Sequence, residues 1–150
     1  MVSTLEPGSK RGAVFTTALL PDTLAAIQLA GKIPLIKSCS KYESIQIASQ
    51  EDIAAMKIEA VMGRGSRRDF IDLYFLSKGF SLEEILEFYN QKYGLLEKNY
   101  YPILRSIGYF EDAEDRDDQM PRMILDVDWN EVKQFFTQES TRLSRKGLGI

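Results

Sequence analysis

Five charged side chains lie close together in this sequence: Lys57, Arg64, Arg68, Asp69 and Asp72. Helical spacing places Lys57 and Asp69 within stripes of apolar residues, where a charge is costly unless it is paired or used. A lysine and arginines that meet carboxylates at the start of a helix can hold a phosphate, a metal-bound nucleotide, or one another. These five residues are therefore the candidate functional site.

Spacing alone leaves two interpretations of this group open. Lys57 and Arg64 are seven residues apart and project from nearly the same side of one helix, and a glycine-containing turn at 63–65 lets the next helix fold back. The group could be an ion-pair clamp between two helices, with Asp69 and Asp72 also favoured by the helix dipole. It could instead bind a phosphate or a nucleotide. From spacing alone the clamp is the commoner arrangement.

Composition excludes several other kinds of chemistry. The chain has 150 residues, a formal net charge of −3, a single cysteine (Cys39) and no histidine. Catalysis by Ser-His-Asp or Cys-His groups and histidine- or cysteine-based zinc sites are thereby excluded, and a reducing cytoplasmic location is expected. No apolar run approaches the roughly 20 residues that span a bilayer, so no membrane partner is predicted. Any contact with nucleic acid has to use a local basic patch.

The first third of the chain contains weak signals for regular structure. Residues 1–32 are predicted to be a poorly defined segment, with a polar tail over 1–12 and a short helix over 22–30 that Asp22 caps and Gly31 ends. The segments 33–37 (IPLIK) and 44–48 (SIQIA) have strand character and flank a polar turn. They predict either a hairpin or two edge strands.

The remaining residues, 33–150, predict a mainly helical α+β domain. Capping signals and apolar periodicity predict helices that begin at Ser49, Ser66, Ser81, about residue 95 and Asp128. Gly63 with Gly65, then Gly79 and Gly94, end the first three. Pro102 is expected at a kink or near a helix start. Residues 108–128 are expected to be irregular and acidic.

The spacing of these residues also carries a resemblance to a known family. The stretch 49–76 resembles the C-terminal signature of the AbiEii/AbiGii-type nucleotidyltransferase toxins of abortive-infection and type IV toxin–antitoxin systems. The matching residues are Ser49, Asp52-Ile53, Lys57, Arg64, Arg68-Asp69 and Asp72-Leu73. SIGYFEDAE and MPRMILDVDWNEVKQFF resemble the continuation of the family's sequence, so the similarity covers about residues 33–136.

The resemblance implies a function in phage defence. It implies a polymerase-beta-like nucleotidyltransferase fold that moves a nucleotide from a nucleoside triphosphate (NTP), with Mg²⁺, to an RNA acceptor, the end of a tRNA. Lys57 and Asp69 would be catalytic, Lys57 contacting the triphosphate and Asp69 activating the acceptor hydroxyl. Arg64 and Arg68 would help to bind the nucleotide, and Asp72 would support them. An antitoxin protein is the implied partner.

One part of the family's pattern is not found in this chain. The family carries a Gly-Ser turn and a strand with an Asp-x-Asp pair that holds magnesium. Gly8-Ser9 is followed by no such pair, Gly65-Ser66 lies between two helices, and Asp126 and Asp128 follow the signature. Metal ligands are therefore not assigned, and the chain is expected to be the C-terminal part of such an enzyme, inactive alone. Self-association through uncovered apolar surface is expected.

The alternative function is a non-catalytic helical protein-interaction module, in which the Lys/Arg–Asp group is only a clamp.

Two further charge clusters are interpreted conservatively. The acidic run between Glu111 and Asp118 lacks the spacing of a calcium-binding loop and predicts a solvated loop. The basic end formed by Arg142, Arg145 and Lys146 suits a helix C-terminus, with contact to an RNA backbone as the sharper alternative.

Overall fold

The computed structural model describes residues 34–115 and 120–149, and over these the protein is mainly helical with one small sheet. The elements are β1 (Ser40–Tyr42), β2 (Ile45–Ile47), α1 (Gln50–Gly63), α2 (Arg67–Leu76), α3 (Leu82–Tyr93), α4 (Leu96–Ile107), α5 (Glu111–Asp115) and α6 (Trp129–Leu148). This confirms the expected α+β, mainly α class. None of the helices in the described part is both long and apolar enough to cross a bilayer. The helix predicted over 22–30 lies outside the described residues.

The sheet is an exposed antiparallel hairpin. Ser40 is the register partner of Ile47, and Glu43 adopts a positive φ of 53° in the connecting turn. The strand predicted over 44–48 is confirmed, but the strand predicted over 33–37 is wrong for the described residues 34–37. The backbone N–H groups of Ile36 and Lys37 donate hydrogen bonds to the side chain of Asp52 in α1. They therefore do not pair with a neighbouring strand.

The predicted capping residues begin the helices. The side chains of Ser49, Ser66 and Ser81 each accept a hydrogen bond from the backbone N–H three residues later, and Asp128 accepts from Asn130. Ser81 and Glu84 form a complete capping box. These bonds satisfy N–H groups that have no partner within the helix. The sequence therefore fixes the starts of α1, α2, α3 and α6 locally.

Pro102 does not lie near a helix start, and the region 108–128 is not irregular throughout. Pro102 lies in the middle of α4, on its exposed side, where the carbonyl group that its ring leaves without an N–H partner can bind water. The region 108–128, expected to be irregular, contains the five-residue helix α5. The other described residues of this region before Asp128 form neither helix nor strand.

The core is built around α1, which packs against α2, α3 and α4, while α6 packs across α2 and α4. Ala54, Ala55 and Ile58 of α1 are completely buried. Packed aromatic rings join α2 to α6, and the ring centroids of Phe70 and Trp129 lie 6.0 Å apart. The core thus holds α1 and α2 side by side along the faces that carry the candidate charges.

Candidate functional site: a buried lysine–aspartate cluster

The turn between α1 and α2 brings the candidate residues together. Gly65 has a φ of 55°, a conformation that favours glycine, and its N–H bonds to the carbonyl of Ala60. Ser66 then begins α2, which places Asp69 in the first helical turn and Asp72 one turn later on the same side. Both carboxylates face Lys57 of α1.

Asp69 is the centre of the cluster. Its Oδ1 accepts from Lys57 Nζ at 3.1 Å and from Arg64 Nη2 at 2.8 Å. Its Oδ2 accepts from Arg64 Nε at 2.7 Å and from Ser66 Oγ at 2.5 Å. Arg64 therefore binds the carboxylate through two parallel hydrogen bonds, the strongest arrangement that this pair of side chains can make.

Lys57 joins the two aspartates. Its Nζ lies 2.8 Å from Asp72 Oδ2, in addition to its contact with Asp69. The side chains of Lys57, Asp69 and Asp72 are 6%, 0% and 4% exposed, whereas that of Arg64 is 52% exposed. Two buried negative charges thus meet one buried and one half-exposed positive charge. The cluster has no net charge, and Arg64 is its connection to solvent.

The surroundings of Asp69 keep it ionised. Burial raises the pKa of its carboxyl group, but the hydrogen bonds from Arg64 and the charge of Lys57, with the bond from Ser66, outweigh burial and lower the pKa to about 2. A carboxylate with so low a pKa is a weak proton acceptor. In the arrangement described, Asp69 therefore organises the cations and is not poised as a base.

The structure does not bring Arg68 into this group. Its side chain is exposed, and it makes no contact with the other four candidates among the described residues. The neighbouring Arg67 lies with its guanidinium 5.1 Å from the centroid of the Trp129 ring. Successive helical residues point about 100° apart, so Arg68 projects away from the face that Asp69 and Asp72 share.

The matched charges of the cluster are those of a clamp. Arg64 could bind a phosphate only by giving up its hydrogen bonds to Asp69. A phosphate group would have to replace a carboxylate edge at Arg64, because the positive charges are already matched. The described carboxylates do not fit a Mg²⁺ site: both oxygens of Asp69 already accept hydrogen bonds, and no group of three or more acidic or cysteine ligands converges in the described part of the chain. Asp128 caps α6 through Asn130.

A second buried ion pair, between Asp52 and Lys92, was not predicted from the sequence. Lys92 Nζ lies 2.7 Å from Asp52 Oδ1, and the two side chains are 2% and 0% exposed. The signal was present, since Lys92 lies in the same stripe of α3 as the buried residues Ile85 and Tyr89. The rule that singled out Lys57, a charge inside an apolar stripe, applies equally to Lys92.

The second pair is held mainly by the backbone. Asp52 Oδ1 also accepts from the N–H of Ile36 at 2.9 Å, and Oδ2 accepts from the N–H of Lys37 at 3.1 Å and from Ser49 Oγ at 2.6 Å. Lys92 also donates to the carbonyl of Pro34 at 3.1 Å. Burial raises the pKa of Asp52, but the hydrogen bond from Lys92, with those from Ser49 and the two backbone N–H groups, outweighs burial and lowers the pKa. The pair fastens the segment before β1 to α1 and α3.

Comparison with known proteins identifies the family. A family model described as the nucleotidyl transferase AbiEii toxin of type IV toxin–antitoxin systems matches residues 14–145. An uncharacterised protein of Aquifex aeolicus (strain VF5) is 35% identical over 114 residues, which are 72% of this chain and 52% of that protein. The chain thus spans about half the length of this curated relative. No solved structure matches. The chain belongs to the AbiEii nucleotidyl transferase toxin family.

Proposed function

We propose that this chain contributes one side of the active site of a nucleotidyltransferase toxin, which moves a nucleotide from an NTP to an RNA acceptor, the end of a tRNA. The single observation that carries the proposal is the Lys57–Arg64–Asp69 cluster, formed by signature residues in a chain of this family. A polymerase-beta-like fold, an antitoxin partner, self-association and a role in cytoplasmic phage defence belong to the same proposal.

Arg64 and Lys57 have the chemistry to hold the triphosphate. Arg64 is half exposed, so its guanidinium can turn from the carboxylate of Asp69 to a phosphate while keeping two parallel hydrogen bonds. Lys57 stays buried behind it as a fixed positive charge. Arg68, exposed in the first turn of α2, can add a second guanidinium near the helix N-terminus, where anions are favoured.

The movement of Arg64 from Asp69 to a phosphate also gives Asp69 its proposed catalytic role. When Arg64 leaves, Oδ2 of Asp69 loses one of its two donors and can accept a hydrogen bond from the acceptor hydroxyl. Loss of that guanidinium also raises the pKa of the carboxyl group, which makes Asp69 a better proton acceptor. Asp72 supports the site by holding Lys57 in place. The Mg²⁺ that the family implies is not assigned to any described residue.

Nucleotide binding tests this proposal. Titration calorimetry of the purified chain with each NTP in the presence of Mg²⁺ should give saturable binding, and Arg64→Ala should weaken it about ten-fold or more through loss of a charge-assisted bidentate contact. Arg64→Lys should be intermediate, because it keeps the charge and loses the paired hydrogen bonds. Arg122→Ala, an exposed arginine elsewhere in the chain, is the matched control.

Transfer is tested on the same samples with α-phosphate-labelled NTP and RNA. Because no metal ligands are assigned in this chain, we expect no incorporation by the chain alone. Incorporation of label into RNA that Arg64→Ala lowers and Arg122→Ala leaves unchanged would show instead that the chain is active by itself. If no NTP binds at millimolar concentration, or if both variants bind as the unchanged chain does, the assignment of Arg64 and Lys57 to the triphosphate is wrong.

A second candidate function is a non-catalytic interaction module, and the charge balance of the cluster favours it. Lys57 and Arg64 match Asp69 and Asp72, which is the condition for a buried clamp that stabilises the α1–α2 pair. On this alternative Arg64→Ala affects stability and leaves NTP binding absent in both proteins. Calorimetry therefore separates the two functions directly.

A further inference from the structure

Outside the cluster, α4 and α6 form a shallow groove on the surface. The two helices run antiparallel, with the hydroxyl of Tyr100 donating to the carbonyl of Leu143 at 3.2 Å. Their approach is close enough that a Cβ added at Gly147 would lie 3.0 Å from the ring of Tyr100, and one added at Gly108 would lie 3.1 Å from Ser140 Oγ. The backbone at these two glycines therefore lies close to side chains of the facing helix.

Arginines, hydroxyl groups and exposed apolar side chains line this α4/α6 groove. The lining residues that matter here are Tyr101, Arg105, Thr141, Ser144, Arg145 and Leu148. Tyr101 is 54% exposed and Leu148 is 63% exposed. Arg145 also lines an adjoining surface depression on α6, together with Arg142 and Lys146.

The two arginines of the groove have no carboxylate partner among the described residues. Arg142, by contrast, binds Glu83 through two hydrogen bonds of 2.6 and 2.7 Å and Glu139 through two more. Lys98 of α4, three residues before Tyr101 and seven before Arg105, is also exposed and shares their helical face. Glu83 and Glu139 are engaged by Arg142 and Lys146, so neither of these carboxylates neutralises Arg105 or Arg145.

We infer that the α4/α6 groove binds the sugar-phosphate backbone of a single-stranded nucleic acid, with Tyr101 stacking on a base. Arg105 and Arg145 match phosphates through their planar guanidinium groups, and the hydroxyls of Thr141 and Ser144 can donate to phosphate oxygens. An exposed aromatic ring beside unpaired cations is the combination that holds single strands without sequence preference. An acidic peptide would use the two arginines but would leave the ring without a stacking partner.

The inference places nucleic acid on a surface separate from the Lys57 cluster, and it rests on the proposed function only for a preference for RNA. The test is fluorescence anisotropy of the full chain with a labelled twelve-nucleotide uridine RNA and the matching thymidine DNA. Binding to either supports the groove, and tighter binding of RNA supports an RNA acceptor. Arg105→Gln with Arg145→Gln should weaken binding about ten-fold or more and flatten the salt dependence by roughly 0.7 per arginine.

Three further variants separate stacking from general charge. Tyr101→Ala should weaken binding about five-fold or more, and Tyr101→Phe should keep it, since the ring alone stacks. Arg142→Gln removes one positive charge that is already paired with Glu83 and Glu139, and it should leave the affinity nearly unchanged. The inference would be overturned if Arg142→Gln and the double variant lost nucleic-acid affinity equally. Tighter binding of a labelled polyglutamate peptide than of nucleic acid would also overturn it.

The two proposals can fail separately. Arg105→Gln with Arg145→Gln should leave NTP binding at Arg64 intact, and Arg64→Ala should leave the affinity for RNA intact. Loss of RNA binding in Arg64→Ala would place the nucleic acid at the cluster and overturn the groove. Absent NTP binding with intact groove binding would overturn only the nucleotide assignment.

Discussion

The two buried lysines of this protein, Lys57 and Lys92, are paired in different ways. Lys57 faces two carboxylates from the neighbouring helix, and one of these is shared with a half-exposed arginine. Lys92 faces one carboxylate, Asp52, whose other hydrogen bonds come from two backbone N–H groups and a serine. Among the described contacts, side-chain donors hold the first cluster, whereas main-chain donors anchor the second.

The difference shows which of the two clusters can change partners. Backbone donors cannot move without moving the chain, so the Asp52 pair is suited to holding a segment in place. A side-chain cluster with one solvent-exposed member can exchange that member for a ligand at smaller cost. Arg64 is such a member, and Lys92 has no equivalent among the described residues. The first cluster is therefore the one suited to exchanging a partner, and the second is suited to stability.

The largest expected effect is that of Lys57→Met. Removing the lysine leaves Asp69 and Asp72 buried with Arg64 as their remaining described cation, so the free energy of unfolding should fall by about 3–5 kcal/mol. Urea denaturation followed by circular dichroism measures this. Lys133→Met, at the solvent-exposed contact with Glu114, is the matched control and should leave the midpoint unchanged. A midpoint for Lys57→Met equal to that of the control would rule out the clamp.

The next largest effect on stability is expected from protonation of Asp69 at acidic pH. Its pKa is about 2 in the folded protein against 3.8 for an unperturbed aspartate, so its ionised form stabilises the fold above about pH 4. That contribution, about 2 kcal/mol at most, is lost as the pH falls from 4 towards 2. Unfolding free energies measured between pH 5 and 2 should therefore fall more steeply for the unchanged protein than for Asp69→Asn. Parallel curves would show that the carboxylate is not held in its charged form.

Lys92→Met should cost less than Lys57→Met. Asp52 keeps three described donors when the lysine is removed, and the expected loss is about 1.5–3 kcal/mol, the contribution of a hydrogen bond to a charged group. The same denaturation experiment measures it. A loss as large as that of Lys57→Met would break the comparison, because it would show that the backbone donors do not compensate Asp52.

The smallest effect is expected for Arg64→Ala. Each oxygen of Asp69 keeps one donor, Lys57 or Ser66, and the arginine is half exposed, so stability should fall by about 1 kcal/mol. Thermal melts of this variant beside Arg122→Ala measure the difference. A loss above that of Lys92→Met would show that Arg64 is a structural member of the cluster and not an exchangeable one.

Local signals in the sequence predicted the helices well. Ser49, Ser66, Ser81 and Asp128 each begin a helix where the capping rule places them, because a cap depends only on residues within one turn. The strand predicted over 33–37 is wrong for a tertiary reason. Asp52 takes up the N–H groups of Ile36 and Lys37, and no propensity of the segment itself encodes that contact.

Four of the five candidate residues come together as the sequence predicted, but their pairings could not be predicted. Charges inside apolar stripes pointed to Lys57 and Asp69, and the contact between them lies between helices that a short turn joins. The exclusion of Arg68 depends on the rotation of α2 about its axis, which neighbouring sequence does not specify. Lys92 and Asp52 are forty residues apart, so only the packing of α3 on α1 reveals that they meet.

The single tryptophan of the sequence gives the α2–α6 contact an optical reporter. Trp129 packs edge-on to Phe70, the residue after Asp69, and lies under the guanidinium of Arg67. Its emission intensity and wavelength therefore depend on whether the first turn of α2 stays against α6. Movement of that turn when a ligand enters the Lys57 cluster should be visible as a change in intrinsic fluorescence, with no label added to the protein.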